Sequence, residues 1–198
     1  MTRRIEPRVV AICGSVRENS RTRVALTEAL AAAESAGAMT ELVDLRKYEL
    51  PSLNAVDTTV TDAAALRETV ESAESVLLGT PNYHGSYSGA LKNALDYCGR
   101  EEFEGTTVGL LEVAAGAFPG SALIHLRTVS RTLRAWTLPT EVAIPDSHTV
   151  IGQSRINDAE IAERTARLGR ELAEHAGGAT RPEQSPRKPA APNDETED

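Results

Sequence analysis

Apolar residues recur along this chain in two alternating patterns. Short, nearly continuous runs rich in valine, isoleucine and leucine occupy positions 8–13, 41–45, 75–80, 106–113 and 140–144. Runs of that length and composition read as strands buried on both faces, as in a parallel sheet. Between them, apolar side chains return every three or four positions, marking one face of a helix. Leu26, Leu30 and Ala33 share such a face over 20–36, and Gly37 ends that helix. A second helix is expected over 62–73, with Thr61 as its N-cap. Leu91, Ala94, Leu95 and Cys98 stand at i, i+3, i+4 and i+7 in a third, closed by Gly99. Leu126, Val129, Leu133 and Trp136 set a fourth over 121–136, and Ile161, Leu168 and Leu172 face inward from a fifth over 158–175. Residues 46–59, with Pro51 and Asn54, read as a loop.

Five strands and five helices in strict alternation predict an α/β domain with a parallel sheet covered on both faces. The 198 residues suit one core of ordinary size. The domain is expected to span 1–176. From 177 to 198, Pro182, Pro186, Pro189 and Pro192 lie among small and charged residues with no apolar anchor. That segment is expected to be a disordered tail.

Composition narrows the function classes. Hydrophobic residues make up 40 % and charged residues 25 %, and no apolar run approaches the length of a membrane span. No signal-peptide apolar region precedes the first strand, so a cytoplasmic location is expected. The net charge of −8 argues against a nucleic-acid partner. Cys13 and Cys98 are in no CxxC or metal-ligand pairing and read as small core residues. His84, His125, His148 and His175 fall on different elements and make no metal set. In Gly85-Ser86-Tyr87-Ser88-Gly89 a tyrosine stands where a hydrolase elbow needs its serine.

In an open parallel sheet, ligands gather at the carboxyl ends of the strands. Three loops occupy that edge. The first, 14–22, offers the hydroxyls of Ser15, Ser20 and Thr22 and the guanidiniums of Arg17 and Arg21 beside a helix N-terminus. Free N–H groups and the helix dipole favour a phosphate there. The loop lacks both the GxGxxG spacing and the Lys-Ser/Thr ending of a P-loop, and it suits a terminal monophosphate. The second, 81–90, combines Pro81, Tyr83 and Tyr87 with small residues, and can present N–H groups to the edge of a flat heterocycle. The third, 113–120, is small and glycine-containing, so Ala115 and Gly116 would let a ring lie close to the main chain.

Gly14-Ser15-x-Arg17-x-x-Ser20, with Pro81-x-Tyr83-x-Gly85-Ser86 and then Gly89-x-Leu91-Lys92-Asn93-Ala94-Leu95-Asp96, resembles the NADPH-dependent FMN reductase family. The resemblance covers about 8–144. It implies a flavodoxin-like, three-layer, doubly wound five-stranded sheet in the order 2-1-3-4-5. It also implies a homodimer or homotetramer carrying FMN, reduced by NADPH or NADH and reoxidised by a quinone, free flavin or similar small acceptor. Ser15, Arg17, Ser20, Arg21 and Thr22 would hold the FMN phosphate. Pro81, Asn82, Tyr83, His84, Gly85 and Ser86 would border the flavin ring, with Ala115 and Gly116 beside it. His84 stands where the family commonly has Asn, and Asn82 where it commonly has Glu. Ala115-Gly116-Ala117-Phe118 replaces a serine and paired glycines, a departure on the nicotinamide side. Two other readings are an FMN-binding electron carrier or regulator and a flavin-free scaffold.

Overall fold

Helices cover both faces of a single, wholly parallel sheet in a computed structural model that describes residues 6–53 and 61–177. Its strands are β1 Arg8–Cys13, β2 Met39–Asp44, β3 Ser75–Pro81, β4 Thr107–Val113 and β5 Trp136–Ile144, in the order 2-1-3-4-5. That is the expected topology, with its switch point between β1 and β3. Alternate residues of β1 feed two separate cores. Val9, Ala11 and Cys13 point into a layer with α1 (Arg21–Ser35) and the last helix (Ala159–Glu174). Val10 and Ile12 point the other way, against α2 (Thr61–Glu71), α3 (Gly89–Asp96), α4 (Arg100–Phe103) and α5 (Ser121–Thr132). A short α6 (Ser147–Val150) follows β5, so the last helix is α7. Burial on both faces explains why the middles of β1, β3 and β4 are apolar, with Arg8, Ser75, Thr80, Thr107 and Glu112 at or next to strand ends.

The structure departs from the sequence reading at several boundaries. The helix expected to reach 136 stops at Thr132, and Trp136 opens β5, where it is 60 % exposed instead of facing the core. Arg134 takes a left-handed φ of 61°, and Ala135 N–H and Arg134 N–H donate to Ser130 and Arg131 carbonyls at 3.0 and 3.1 Å. These bonds make a Schellman stop, with an arginine where glycine is usual. Released from the helix, Trp136 N–H pairs with the Thr106 carbonyl and extends β5 four residues upstream of 140. β2 likewise starts at Met39, not 41. Thr61 is the first residue of α2, not a residue preceding it. The two one-turn helices α4 and α6 and a 3-10 turn at Leu45–Lys47 carry too few residues to show a period, and bring the helices beyond the five expected. Residues 54–60 of the expected loop and 178–198 of the expected tail lie outside the described residues. Among the described residues no helix is long and apolar enough to cross a membrane.

Cys13 and Cys98 are buried, as expected of core residues. Burial pushes the Cys98 thiol up to about 12 and raises that of Cys13 as well, so both stay protonated near neutrality.

Two glycines set how closely the α1/α7 layer packs. A Cβ on Gly79 of β3 would lie 2.5 Å from Leu26, and one on Gly169 of α7 would lie 1.9 Å from the Ala29 carbonyl oxygen of α1. Gly169→Ala would gain about 1 kcal/mol in helix propensity. The contact is with backbone, however, so α1 and α7 must separate, and a 1.9 Å clash puts the cost in the upper part of the overpacking range, about 2–3 kcal/mol. The expected net result is destabilisation of about 1–2 kcal/mol, lowering Tm by a few degrees at about 2–4 °C per kcal/mol. Thermal unfolding followed by circular dichroism checks it; an unchanged or higher Tm contradicts the packing argument.

Candidate functional site

The β1–α1 loop is built around Ser20, the N-cap of α1, whose hydroxyl accepts from the Arg23 N–H at 3.1 Å. Ser15, Ser20 and Thr22 are all buried at this edge. Arg23 then turns back on the loop. Its guanidinium donates to the carbonyls of Arg17 (2.9 Å) and Glu18 (2.5 Å), and to Asp44 at the end of β2 (3.2 Å). In a planar peptide the N–H points opposite to the C=O, so these bonds turn the Glu18 and Asn19 N–H groups away from Arg23. Among the described residues, the N–H groups of Ser15 through Asn19 donate to no other part of the chain. Arg21 contributes a buried Nε that likewise has no partner there. Orphaned donors gathered at a helix N-terminus are the chemistry of an anion cradle.

The second loop is bolted to the first. Gly14 N–H donates to the Gly79 carbonyl at 2.8 Å, and the Ser88 hydroxyl donates to the Gly14 carbonyl at 2.6 Å. Ser88 also caps α3, accepting from Leu91 N–H at 3.1 Å, while its own N–H donates to the Thr80 hydroxyl. Between these anchors the chain makes a hairpin. Tyr83 and Ser86 exchange both backbone hydrogen bonds, at 2.9 and 3.1 Å, with His84 and Gly85 at φ 53° and 78°. Two successive positive φ values define a type I′ turn, whose first central position favours Asn and also admits His. Arg17 reaches across from the first loop to lie 5.7 Å from the Tyr83 ring centroid. The Ser86 hydroxyl lies 2.9 Å from His125 Nδ1 on α5, and the His125 ring meets Tyr87 edge-on.

The third loop starts from a polar residue inside β4. Glu112 is completely buried, and one carboxylate oxygen accepts from the N–H groups of Gly120 (3.0 Å) and Leu123 (3.3 Å). Gly120 is the N-cap of α5 and has no side chain to offer, so Glu112 supplies the cap from the strand. The other oxygen accepts from the Asn82 amide, whose own oxygen accepts from Gly85 N–H at 3.0 Å.

These three loops enclose a cleft of about 260 Å³ at the carboxyl edge of the sheet. Ser15, Arg17, Ser20, Arg21 and Thr22 line it on one side, with Pro81, Asn82, Tyr83 and Ala115 on the other. A model of the NADPH-dependent FMN reductase family matches residues 7–149. The chain belongs to that family. It is 34 % identical over 166 residues to the FMN-dependent NADPH-azoreductase of Staphylococcus aureus, covering 79 % of this chain and 88 % of that one. By fold it is similar to a NADH:FMN oxidoreductase in its apo form, with TM-score 0.72, 19 % identity and coverage of 86 % and 90 %. It is also similar to the flavoenzyme NAD(P)H:(acceptor) oxidoreductase FerB of Paracoccus denitrificans, with TM-score 0.73, 19 % identity and coverage of 85 % and 96 %. As a member of the family, the protein is an NAD(P)H-dependent flavin oxidoreductase that uses FMN and a small-molecule acceptor. The family assignment favours this enzyme reading over a carrier or regulator.

For this reductase, nine of the thirteen expected cofactor residues line the cleft. His84, Gly85, Ser86 and Gly116 do not: the first two form the hairpin tip, Ser86 faces His125, and the Gly116 carbonyl accepts from Asp146 N–H. Sequence reasoning does not find Arg23, Glu112, Ser147 and His148, the last two lining the cleft from α6. A carboxylate in the apolar run Thr-Val-Gly-Leu-Leu-Glu-Val is the available signal for Glu112, because a buried charge needs partners. Nothing in the local pattern marks Arg23 or α6.

Asp44 holds the cradle from below, so the loop should be acid-sensitive. The Arg46 guanidinium, by its hydrogen bonds to the Asp44 carboxylate, is the largest influence keeping that group at about 2, against an ordinary value of 3.8. The native carboxylate is the lowered one, so its contribution is complete above about pH 4 and is lost as pH falls toward about 2. Asp44→Asn should destabilise the apoprotein at neutral pH, and the difference from the parent should shrink to nothing as the carboxylate of the parent becomes protonated. Urea unfolding at a series of pH values checks it; a pH-independent difference contradicts the ion-pair origin.

Proposed function

We propose that the cleft is the FMN site of this reductase, with the phosphate in the 14–22 cradle and the flavin ring along the 81–86 hairpin. The observation that carries the reading is the set of unpartnered donors at the N-terminus of α1 beside a cleft bounded by both loops. Ser15, Ser20 and Thr22 offer hydroxyls, and Arg17 and Arg21 offer charge-assisted hydrogen bonds to a phosphate dianion. Pro81, Asn82 and Tyr83 border the ring from the cleft wall with Ala115 across from them, and His84, Gly85, Ser86 and Gly116 would meet it only where it extends beyond the cleft lining. When bound, FMN supplies the redox chemistry, accepting hydride from NADPH or NADH and passing the electrons to an acceptor such as a quinone or free flavin. The protein holds, orients and shields; no side chain is assigned a general acid or base role. We place the enzyme in the cytoplasm as a homodimer or homotetramer.

Arg17→Ala should weaken FMN binding by about 1.5–3 kcal/mol, the loss of a charge-assisted hydrogen bond, read by fluorescence titration of the apoprotein. Undiminished affinity would put the phosphate elsewhere. The whole reading is tested by the anaerobic visible spectrum of FMN-loaded protein before and after NADPH, then NADH. Bleaching within seconds is expected and identifies the donor. Flavin that stays oxidised with both contradicts the nicotinamide step, and failure to retain FMN contradicts the site.

A further inference from the structure

Three acidic side chains are buried among the described residues: Asp44, Glu102 and Glu112. Asp44 is paired with Arg23 and Arg46, and Glu102 with Arg67. Glu112, at 0 % exposure the deepest of them, has no cationic partner among the described residues. A carboxylate taken from water without a counter-charge is costly, and capping α5 from the strand, which Gly120 at φ 133° leaves to another residue, occupies only one of its two oxygens. Capping one helix therefore does not account for a fully buried charge at the carboxyl end of β4.

The remainder of its bonding does. Glu112 lies in β4 opposite Thr80 of β3, two residues before Asn82. Hydrogen-bond direction along the chain of contacts is fixed: Gly85 N–H donates to Asn82 Oδ1, Asn82 Nδ2 donates to Glu112 Oε1, and the N–H groups of Gly120 and Leu123 donate to Glu112 Oε2. The chain of donors runs onto the carboxylate, an acceptor-only group, with a longer second contact of 3.4 Å from Asn82 Nδ2 to the Ser121 hydroxyl, which can itself donate or accept. The same anchor thus sets the amide orientation of Asn82, which holds the left-handed Gly85 of the hairpin, and the entry to α5. We propose that Glu112 is a positioning residue for the ring-side loop, acting through Asn82 on the Gly85 N–H and the tip of the 83–86 turn. Its consequence for FMN rests on the site proposed above, whereas its effect on the loop does not.

The donor inventory gives the test. In Glu112→Gln, the new amide oxygen keeps the two helix donors, and its NH2 then meets the Asn82 NH2. Turning Asn82 over only moves the conflict to Gly85. The double variant, Asn82→Asp with Glu112→Gln, removes the conflict. There the glutamine NH2 donates to one oxygen of the introduced aspartate, the other oxygen accepts from Gly85 N–H, and every donor is satisfied again. The first readout is amide hydrogen exchange at Gly85 in the full-length apoprotein. Exchange is expected to be about tenfold or more faster in Glu112→Gln, the scale of one lost charge-assisted hydrogen bond, and to return toward the parent rate in the double variant. The second readout is the FMN-loaded protein, where Glu112→Gln should weaken FMN binding and raise the flavin midpoint potential by removing a buried negative charge. The double variant, which restores one negative charge, should bring both back toward the parent.

Unchanged Gly85 exchange in Glu112→Gln, or a double variant that exchanges as fast as the single one, overturns the proposal. A fall in Tm with exchange and potential unmoved would reduce Glu112 to a helix cap and overturn it equally. Should Glu112→Gln not fold, Asn82→Ala leaves Gly120 and Leu123 capped and must still accelerate Gly85 exchange; no acceleration overturns the proposal. A parent protein that fails to retain FMN would sink the cofactor reading, while the exchange result would still decide the positioning role.

Discussion

Gly14 is where the architecture of the site is decided. At the switch point, β1 and β3 run side by side while their following loops must diverge to opposite sides of the sheet. That divergence begins with main chains closer together than side chains allow. A Cβ at position 14 would lie 2.8 Å from Leu91 Cβ and 3.0 Å from both the Gly79 carbonyl and the Ser88 hydroxyl. Because position 14 is glycine, its N–H and C=O are both used across the gap, to Gly79 and Ser88. Ser88 is at once the bolt between loops and the N-cap of α3. The anion cradle and the hairpin therefore share one rigid origin, and the distance between the two ends of the cleft is set by packing instead of by the loops themselves.

Each loop then receives its own polar anchor from a strand end, and the two anchors follow different logic. Asp44 is a paired charge: two guanidiniums compensate its burial, and one of them, Arg23, carries the tie onward to the cradle carbonyls. Glu112 is compensated by dipoles alone, two helix N–H groups and one amide. The N-terminus of α5 contributes its own positive end to that compensation. In both cases the carboxylate acts on backbone, not on ligand. For the 14–22 loop, whose free donors are mostly main-chain N–H, that arrangement matters most, since such groups are aimed only by fixing peptide planes.

The strands and the long helices are legible in the sequence because burial on two faces and a 3.6-residue period leave a pattern in any local window. The loop chemistry is legible in part: hydroxyls and arginines after an apolar strand announce an anion site wherever the chain folds. Boundaries fail where the backbone uses an unusual residue. Arg134 adopts the left-handed conformation that glycine normally signals, so the periodicity puts Trp136 on a helix face when it begins a strand. His84 does the same at the hairpin tip, and no Asn-Gly pair marks the turn. Arg23 and Glu112 escape a sequence reading for another reason. Their partners are close in space and distant in sequence, Asp44 lying 21 residues from Arg23 and Asn82 lying 30 from Glu112, so no window contains both ends.

The overall charge of the chain also misleads about its ligand. A net charge of −8 disfavours a long polyanion, which samples the whole surface. A single phosphate is a different case, because charges farther away than about 8 Å are largely screened at physiological salt. Around the cradle the guanidiniums of Arg17, Arg21 and Arg23 outnumber the carboxylates of Glu18 and Asp44, and the free N–H groups of the loop add to the positive side. The local field is positive although the protein as a whole is acidic. An acidic protein can therefore carry a locally positive site, which is the charge distribution the proposed FMN phosphate site requires.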